Sequence, residues 1–228
     1  VAVDSNIAVV TGTNTEIGKT VVACGLVRRL ADEGIEVRAV KPVESGIDEL
    51  EPDERDGVQL ARAARQSRPS RALDELGRPL APPEAADLAG VELSMQAWCR
   101  EIEALAAESD LVVVEGAGGL LSPLTWTETA RELAERLSAG VLVVAPDTLG
   151  VLTHSLTALE SLDRASSPLL GVVFSAPDAE DESTRRNPET LARYADLERV
   201  SRLPRVTGWR EAAEHLDRPA EWVRRATL

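Results

Sequence analysis

Apolar and polar positions fall in blocks along this chain, and the blocks predict strands that alternate with helices. Residues 7–11 form a short apolar run stopped by Gly12, too short for a helix, so they read as a strand buried on both faces. Residues 18–33 place Val21, Val22, Leu26, Val27 and Leu30 at helical spacing, and Gly34 ends them. A second strand, 37–40, runs into Lys41-Pro42. From 44 to 93 the pattern weakens into acids, prolines and short helical stretches, and irregular chain of that length is more often functional than idle. Residues 94–108 predict a helix with Ser94 as its N-cap. Residues 111–114 are the cleanest strand, with Glu115-Gly-Ala-Gly-Gly119 as a loop after it. Helices are then expected at 127–137, 150–164 and 189–197, and strands at 141–145, 169–174 and 200–203. The tail reads as helical around Trp209 and Trp222.

Strands each followed by a helix predict an α/β fold, a mostly parallel sheet with helices on both faces, in one domain spanning 1–228. Ligands of such sheets bind outside the carboxyl ends of the strands. Composition fits this picture: 43% of residues are hydrophobic but only 3% aromatic, so the core must be built from Val, Leu, Ala and Ile. Cys24 and Cys99 show no metal-ligand spacing, and neither do His154 and His215. A net charge of −14 argues against nucleic-acid or acidic-membrane partners, which need a basic face. With no leader and no apolar run of membrane length, a cytoplasmic protein is expected. Of 25 basic residues only Lys19 and Lys41 are lysine. An acidic, lysine-poor surface suits a salt-rich cytoplasm, while a GC-rich genome would explain the arginines but not the excess of acids.

The candidate chemistry lies at the predicted strand ends. Gly12-Thr13-Asn14-Thr15-Glu16-Ile17-Gly18-Lys19-Thr20 sits between a strand and a helix, the context of a phosphate-binding (Walker A) loop. Backbone N–H groups of such a loop converge on phosphate oxygens, the lysine places a charge on the β and γ phosphates, and the threonine hydroxyl can ligate Mg²⁺. The chain thus reads as a P-loop NTPase that uses ATP and magnesium. Gly12 and Gly18 enclose five residues where the usual pattern has four, which leaves Thr13 at the place of the first glycine. Asn14 stands where partitioning-type ATPases carry a second lysine, which counts against a polymerising or membrane-gated ATPase. A lysine at a strand end is ordinarily a solvated residue. Lys41, however, is one of two in the chain, and both fall beside the phosphate loop, where arginine is no substitute for a compact ammonium. Glu115 ends a strand where a P-loop enzyme places its second metal-binding carboxylate. Asp56 alone reads as a helix cap, but with Thr20 and Glu115 it completes an oxygen shell for Mg²⁺. The pair Arg185-Arg186 reads as a solvated face.

Together these motifs resemble the dethiobiotin synthetases, in order from Val9 to Pro204. The matching segments are 12–20, 41–46 (Lys-Pro-Val-Glu-Ser-Gly), Asp56, 114–119 (Val-Glu-Gly-Ala-Gly-Gly) and 149–154, whose Leu-Gly precedes His154. The resemblance implies an ATP-dependent cyclo-ligase acting on 7,8-diaminononanoate and CO2. Lys19 and Lys41 would be catalytic, and Thr20, Asp56 and Glu115 would hold Mg²⁺. Residues 13–20 would hold the nucleotide phosphates, with further nucleotide contacts at Ser175 and Pro204. Glu16, Lys41, Ser45 and Gly118 would position the diamine and carbamate. It also implies a homodimer in which Gly150 and Thr153 of one subunit receive the substrate carboxylate of the other. Three departures stand out. Residues 81–86 lack the family's Ser and His, Ser175 replaces an adenine-reading Asn, and Thr153 replaces the Asn before His154. Ser175 predicts looser nucleotide selectivity, since a hydroxyl offers less two-point readout than an amide. Competing readings are another amide- or carbamate-forming P-loop synthetase, such as the glutamine-dependent cobyrinate amidases, whose extra glutaminase domain is not expected within 228 residues, and a catalytically silent nucleotide-binding regulator, against which Lys19, Lys41, Asp56 and Glu115 together speak.

Overall fold

Apolar runs without alternation pair into a sheet only where both faces are covered. The computed structural model describes residues 3–165 and 167–228 and shows such a sheet. Among them, six strands lie in the order β2 (Val37–Val40), β5 (Leu111–Gly119), β1 (Ile7–Gly12), β6 (Gly140–Pro146), β7 (Leu169–Ser175) and β8 (Val200–Leu203). Every pairing in it is parallel. A small second sheet pairs β3 (Val43–Ser45) with β4 (Asp74–Leu76), also in parallel. The α/β class with a mostly parallel sheet, read from the sequence, is the observed fold.

Successive side chains of a strand point to opposite faces, and they separate two cores here. Val9, Val112, Val114, Val143 and Phe174 face one way, against Trp98 and Ile102 of α4 (Met95–Ala106), Leu133 of α5 (Ala130–Arg136) and Leu162 of α6 (Val151–Asp163). Ala8, Val10, Val113, Val144 and Val173 face the other way. They meet Leu26 and Leu30 of α1 (Lys19–Asp32), Leu60 of α2 (Asp56–Ala63), Ala212 of α8 (Trp209–Ala212) and Trp222 of α9 (Asp217–Thr227). Two further helices, α3 (Pro82–Ala89) and α7 (Asn187–Tyr194), complete the first face through Ala85, Ala86 and Leu191. Gly171 of β7 makes room for the last helix: a Cβ there would lie 2.4 Å from the Trp222 ring. None of the helices among the described residues is long and apolar enough to cross a membrane.

Three differences from the sequence reading have physical causes. The glycine segment expected as a loop continues β5 to Gly119, because its backbone stays paired with β1 across a register shift near Gly12. A Cβ on Gly119 would press on the Gly12 carbonyl at 3.2 Å, so the bare backbone permits this approach. The weak region 44–93 hides β3 and β4, three-residue strands that carry Glu44, Asp74 and Glu75, whose pairing is tertiary and leaves no local pattern. Helix α5 starts at Ala130 rather than 127, because Thr129 caps it and Glu132 returns a bond to the Thr129 N–H. At α4 the expected cap is present, with Ser94 Oγ accepting from the Ala97 N–H at 3.2 Å.

Candidate active site

The phosphate loop leaves β1 and turns into α1 through two left-handed residues, Glu16 at φ 54° and Gly18 at φ 88°. Gly18 is also a place of close approach: a Cβ there would stand 2.8 Å from Ser175 Oγ. This contact brings the end of β7 against the loop. The loop is tied to the sheet by the Thr13 N–H on the Val144 carbonyl at 3.0 Å and the Leu120 N–H on the Gly12 carbonyl at 3.0 Å. Lys19, 7% exposed, bends back to donate to the Asn14 carbonyl at 2.8 Å. Helix α1 begins without a side-chain cap, so its first N–H groups lie open to an anion.

Four side chains from four elements meet beside this loop. Lys41, 4% exposed and just past β2, donates to Asp56 Oδ2 and to Glu115 Oε1, both at 2.7 Å. Thr20 Oγ1 lies 2.8 Å from Asp56 Oδ1 and 2.9 Å from Glu115 Oε1, and its single proton serves one of them at a time. Glu115 is wholly buried, and its second oxygen, Oε2, has no hydrogen-bond partner among the described residues. The hydroxyls of Thr11 and Thr13 are also buried and unpartnered among the described residues. Buried polar atoms are rarely left so.

The electrostatics follow from burial and proximity. Burial lowers Lys19, and the nearby Lys41 charge adds to this, bringing its pKa to about 8. Burial alone would lower Lys41 too, but Glu115 and Asp56 hold it above the ordinary lysine value. Burial raises Glu115 to about 6 against the pull of Lys41, with Asp56 adding repulsion. Asp56 also pays for burial, yet the Lys41 ion pair and its hydrogen bonds leave it below the usual range.

Asp56 is not the cap of α2. Arg55 holds the N-cap position without a side-chain bond, and Asp56 is the first helical residue, its carboxylate turned to Lys41 and Thr20. The acceptor for the helix start comes from Glu44, which sequence reasoning missed. Its carboxylate takes the N–H of Asp56 at 2.6 Å and of Gly57 at 3.0 Å. Burial raises its pKa against those two bonds. The only trace in the sequence was an acid inside the Lys41–Gly46 run.

A cavity of about 390 Å³ opens beside the loop and is lined by Glu16, Ile17, Gly18, Ser175 and Pro204, among others. This joins the expected nucleotide residues of the loop to those of β7 and β8. Gly118, at φ 68°, is on the Thr15 side of the glycine segment. Ser45 closes β3. Gly150 and Thr153 begin α6 at the surface, and among the described residues no hydrogen bond ties them to the Lys19–Lys41 cluster.

Thr20, Asp56 and Glu115 offer hard oxygen donors, including the orphaned Oε2. Among the described residues no group of three or more His, Cys, Asp and Glu side chains is placed to hold a metal. Two carboxylates and a hydroxyl fit an ion that keeps waters and shares phosphate oxygens, as Mg²⁺ does, rather than an all-protein cage.

Known proteins match this chain over nearly its whole length. A family model described as an AAA domain covers residues 7–212. The ATP-dependent dethiobiotin synthetase BioD of Anaeromyxobacter dehalogenans (strain 2CP-1 / ATCC BAA-258) is 41% identical over 198 residues, 86% of this chain and 88% of that protein. The protein of the same name from Caulobacter sp. (strain K31) is 39% identical over 219 residues, 91% of this chain and 92% of its own. Among solved structures, the cell division ATPase MinD of Pyrococcus furiosus is similar with a TM-score of 0.63 at 18% identity, covering 96% of this chain and 98% of that one. At that identity the likeness speaks to the fold.

Proposed function

The chain belongs to the AAA-domain family and, within it, to the dethiobiotin synthetases, and from that membership we propose the reaction and the residues that carry it. The protein is an ATP-dependent cyclo-ligase of biotin biosynthesis. One amine of 7,8-diaminononanoate adds to CO2 and loses a proton to give a carbamate. A carbamate oxygen attacks the γ-phosphorus of ATP and ADP leaves. The second amine then attacks the carbamoyl carbon, closing the ureido ring and expelling phosphate and a proton.

What supports this reading most is the meeting of Lys41 with Thr20, Asp56 and Glu115 beside the phosphate loop that carries Lys19. Residues 13–20 would cradle the phosphates through backbone N–H groups at the open start of α1. Lys19 would answer the charge on the β and γ phosphates, and Lys41 the negative charge that shifts between phosphoryl group and carbamate. Their place is fixed before the reaction begins, which is electrostatic preorganisation. Thr20, Asp56 and Glu115 would hold Mg²⁺, which when bound neutralises phosphate charge and polarises the γ-phosphoryl group. Lys41, bonded to both carboxylates, keeps them drawn together at the loop. Ser175 and Pro204 would line the base end of the nucleotide cavity, while Glu16, Ser45 and Gly118 would place the diamine and carbamate. Gly150 and Thr153 would offer a helix start to the substrate carboxylate of a second subunit, in a cytoplasmic homodimer whose chain forms one domain over 1–228. Neither nucleic acid nor membrane would be a partner of so acidic a chain.

The test is mass spectrometry of the product made from the diamine, ATP and bicarbonate, with ADP release followed in parallel. Dethiobiotin, and ADP release that needs both diamine and bicarbonate, is the expected result. ATP binding without diamine-dependent ADP release would instead support the silent regulator.

A further inference from the structure

Asp56 is held at two points by one short stretch of chain. The Lys41 ammonium grips its carboxylate at 2.7 Å. Three residues later, the Glu44 carboxylate accepts the backbone N–H of Asp56 at 2.6 Å and that of Gly57 at 3.0 Å. Glu44 is 4% exposed, and among the described residues no cation forms an ion pair with it. A carboxylate so buried is expensive unless its oxygens are bonded. Among the described residues its donors are the two N–H groups at the start of α2.

Most helices satisfy their first N–H groups with a Ser, Thr, Asp or Asn at the N-cap. The N-cap of α2 is Arg55, which makes no such bond, so the cap arrives from another element. The backbone of Glu44 is itself fixed. β3 pairs in parallel with β4, the Leu73 N–H reaches the Lys41 carbonyl at 2.9 Å, and the Asp74 N–H reaches the Pro42 carbonyl at 3.0 Å. α2 also has no slack at Gly57, where a Cβ would lie 2.1 Å from the Ala72 nitrogen. The start of α2 is therefore bonded to Glu44 and packed closely on the Arg71–Ala72 backbone. Where that helix starts decides where the Asp56 carboxylate points.

We propose that Glu44 is a positioning residue for magnesium: by capping α2 from β3 it sets the direction of the Asp56 carboxylate. The inference rests on the reading of Asp56 as a magnesium ligand. Glu44 touches neither nucleotide nor metal and acts through Asp56. Groups that orient a metal ligand are worth about 10–100-fold in metal affinity.

The experiment uses the full chain with Glu44→Ala, Glu44→Gln and Asp56→Ala. Calorimetry follows binding of a non-hydrolysable ATP analogue over a series of MgCl2 concentrations and in excess EDTA, with a melting curve for each variant. Glu44→Ala is expected to raise the half-saturating Mg²⁺ concentration about 10–100-fold, with affinity in EDTA within about twofold of wild type. Glu44→Gln, which keeps one acceptor oxygen but turns an amide N–H against the other donor, falls between the two. An unshifted Mg²⁺ dependence in Glu44→Ala beside a shifted one in Asp56→Ala overturns the inference. So do equal losses with and without Mg²⁺ that follow a fall in melting temperature, since these mark a purely structural role. An unshifted Asp56→Ala overturns the magnesium reading itself. If Glu44→Ala does not fold, the Glu44→Gln series decides alone, with a Mg²⁺ shift supporting the proposal and none rejecting it.

Discussion

Two carboxylates are wholly buried on the strands that flank β1: Glu115 midway along β5 and Asp147 just past β6. Each is paired with one basic side chain, Lys41 or Arg202, at 2.7 Å. Their remaining valences differ. Asp147 is saturated: Oδ2 accepts from the Arg185 N–H and Arg202 Nε, and Oδ1 from Asn187 Nδ2. Glu115 gathers Lys41 and Thr20 on one oxygen and leaves the other bare in the interior. A filled shell ties the 180–187 loop to the sheet. In Glu115 one oxygen is left without a partner among the described residues.

Four experiments bear on this contrast, from the largest expected effect to the smallest. Lys19→Gln and Lys41→Gln should each lower turnover by at least about 100-fold, the scale of losing one preorganised charge, with the fold intact by circular dichroism. Wild-type turnover in the Lys41 variant would remove it from the mechanism. Next, Asp147→Ala should cost on the order of 3 kcal/mol in urea unfolding, because it breaks a buried charge pair, with turnover within about threefold of wild type. Glu115→Gln should do the reverse, losing turnover by about 100-fold and less stability than Asp147→Ala. If the two variants exchanged these behaviours, the reading of saturation as structure and vacancy as function would fail.

A smaller effect is expected at Ser175. The wild-type enzyme should use GTP and CTP within about tenfold of ATP in kcat/KM, since a hydroxyl reads a base at one point only. Strong discrimination in steady-state kinetics would contradict this. The smallest effect concerns the capping box of α5. Burial would raise Glu132, but the hydrogen bonds of Thr129 and Arg131 prevail and bring its pKa to about 2. A depressed carboxylate contributes stability at pH above its unfolded value, about 4.3, and loses it as pH falls toward 2. The stability gap between wild type and Glu132→Ala should therefore be constant near neutral pH and close between about pH 4 and 2.

The sheet was legible because continuous apolar runs between glycines leave few alternatives to buried parallel strands. That the loop, Lys41 and Glu115 lie together was legible because each belongs to a contiguous motif that closes an apolar run. What escaped reading depends on groups that meet only after folding. Glu44 looked like one acid among many, and its role exists only once β3 has been set beside α2 by β4. Asp147 finds its partners 38 to 55 residues further along the chain. The bare oxygen of Glu115 is a property of what fails to surround it, and no local pattern records that.

The scarcity of lysine has a practical corollary. Lys19 and Lys41 are both inside the fold and Lys41 precedes Pro42, a bond that lysine-specific proteases cut poorly, so their main target is the Lys19–Thr20 bond and it is not presented to them. Where opening and closing outpace cleavage, digestion rate tracks the population of opened molecules. For this chain, that rate would report how often the phosphate loop itself comes undone.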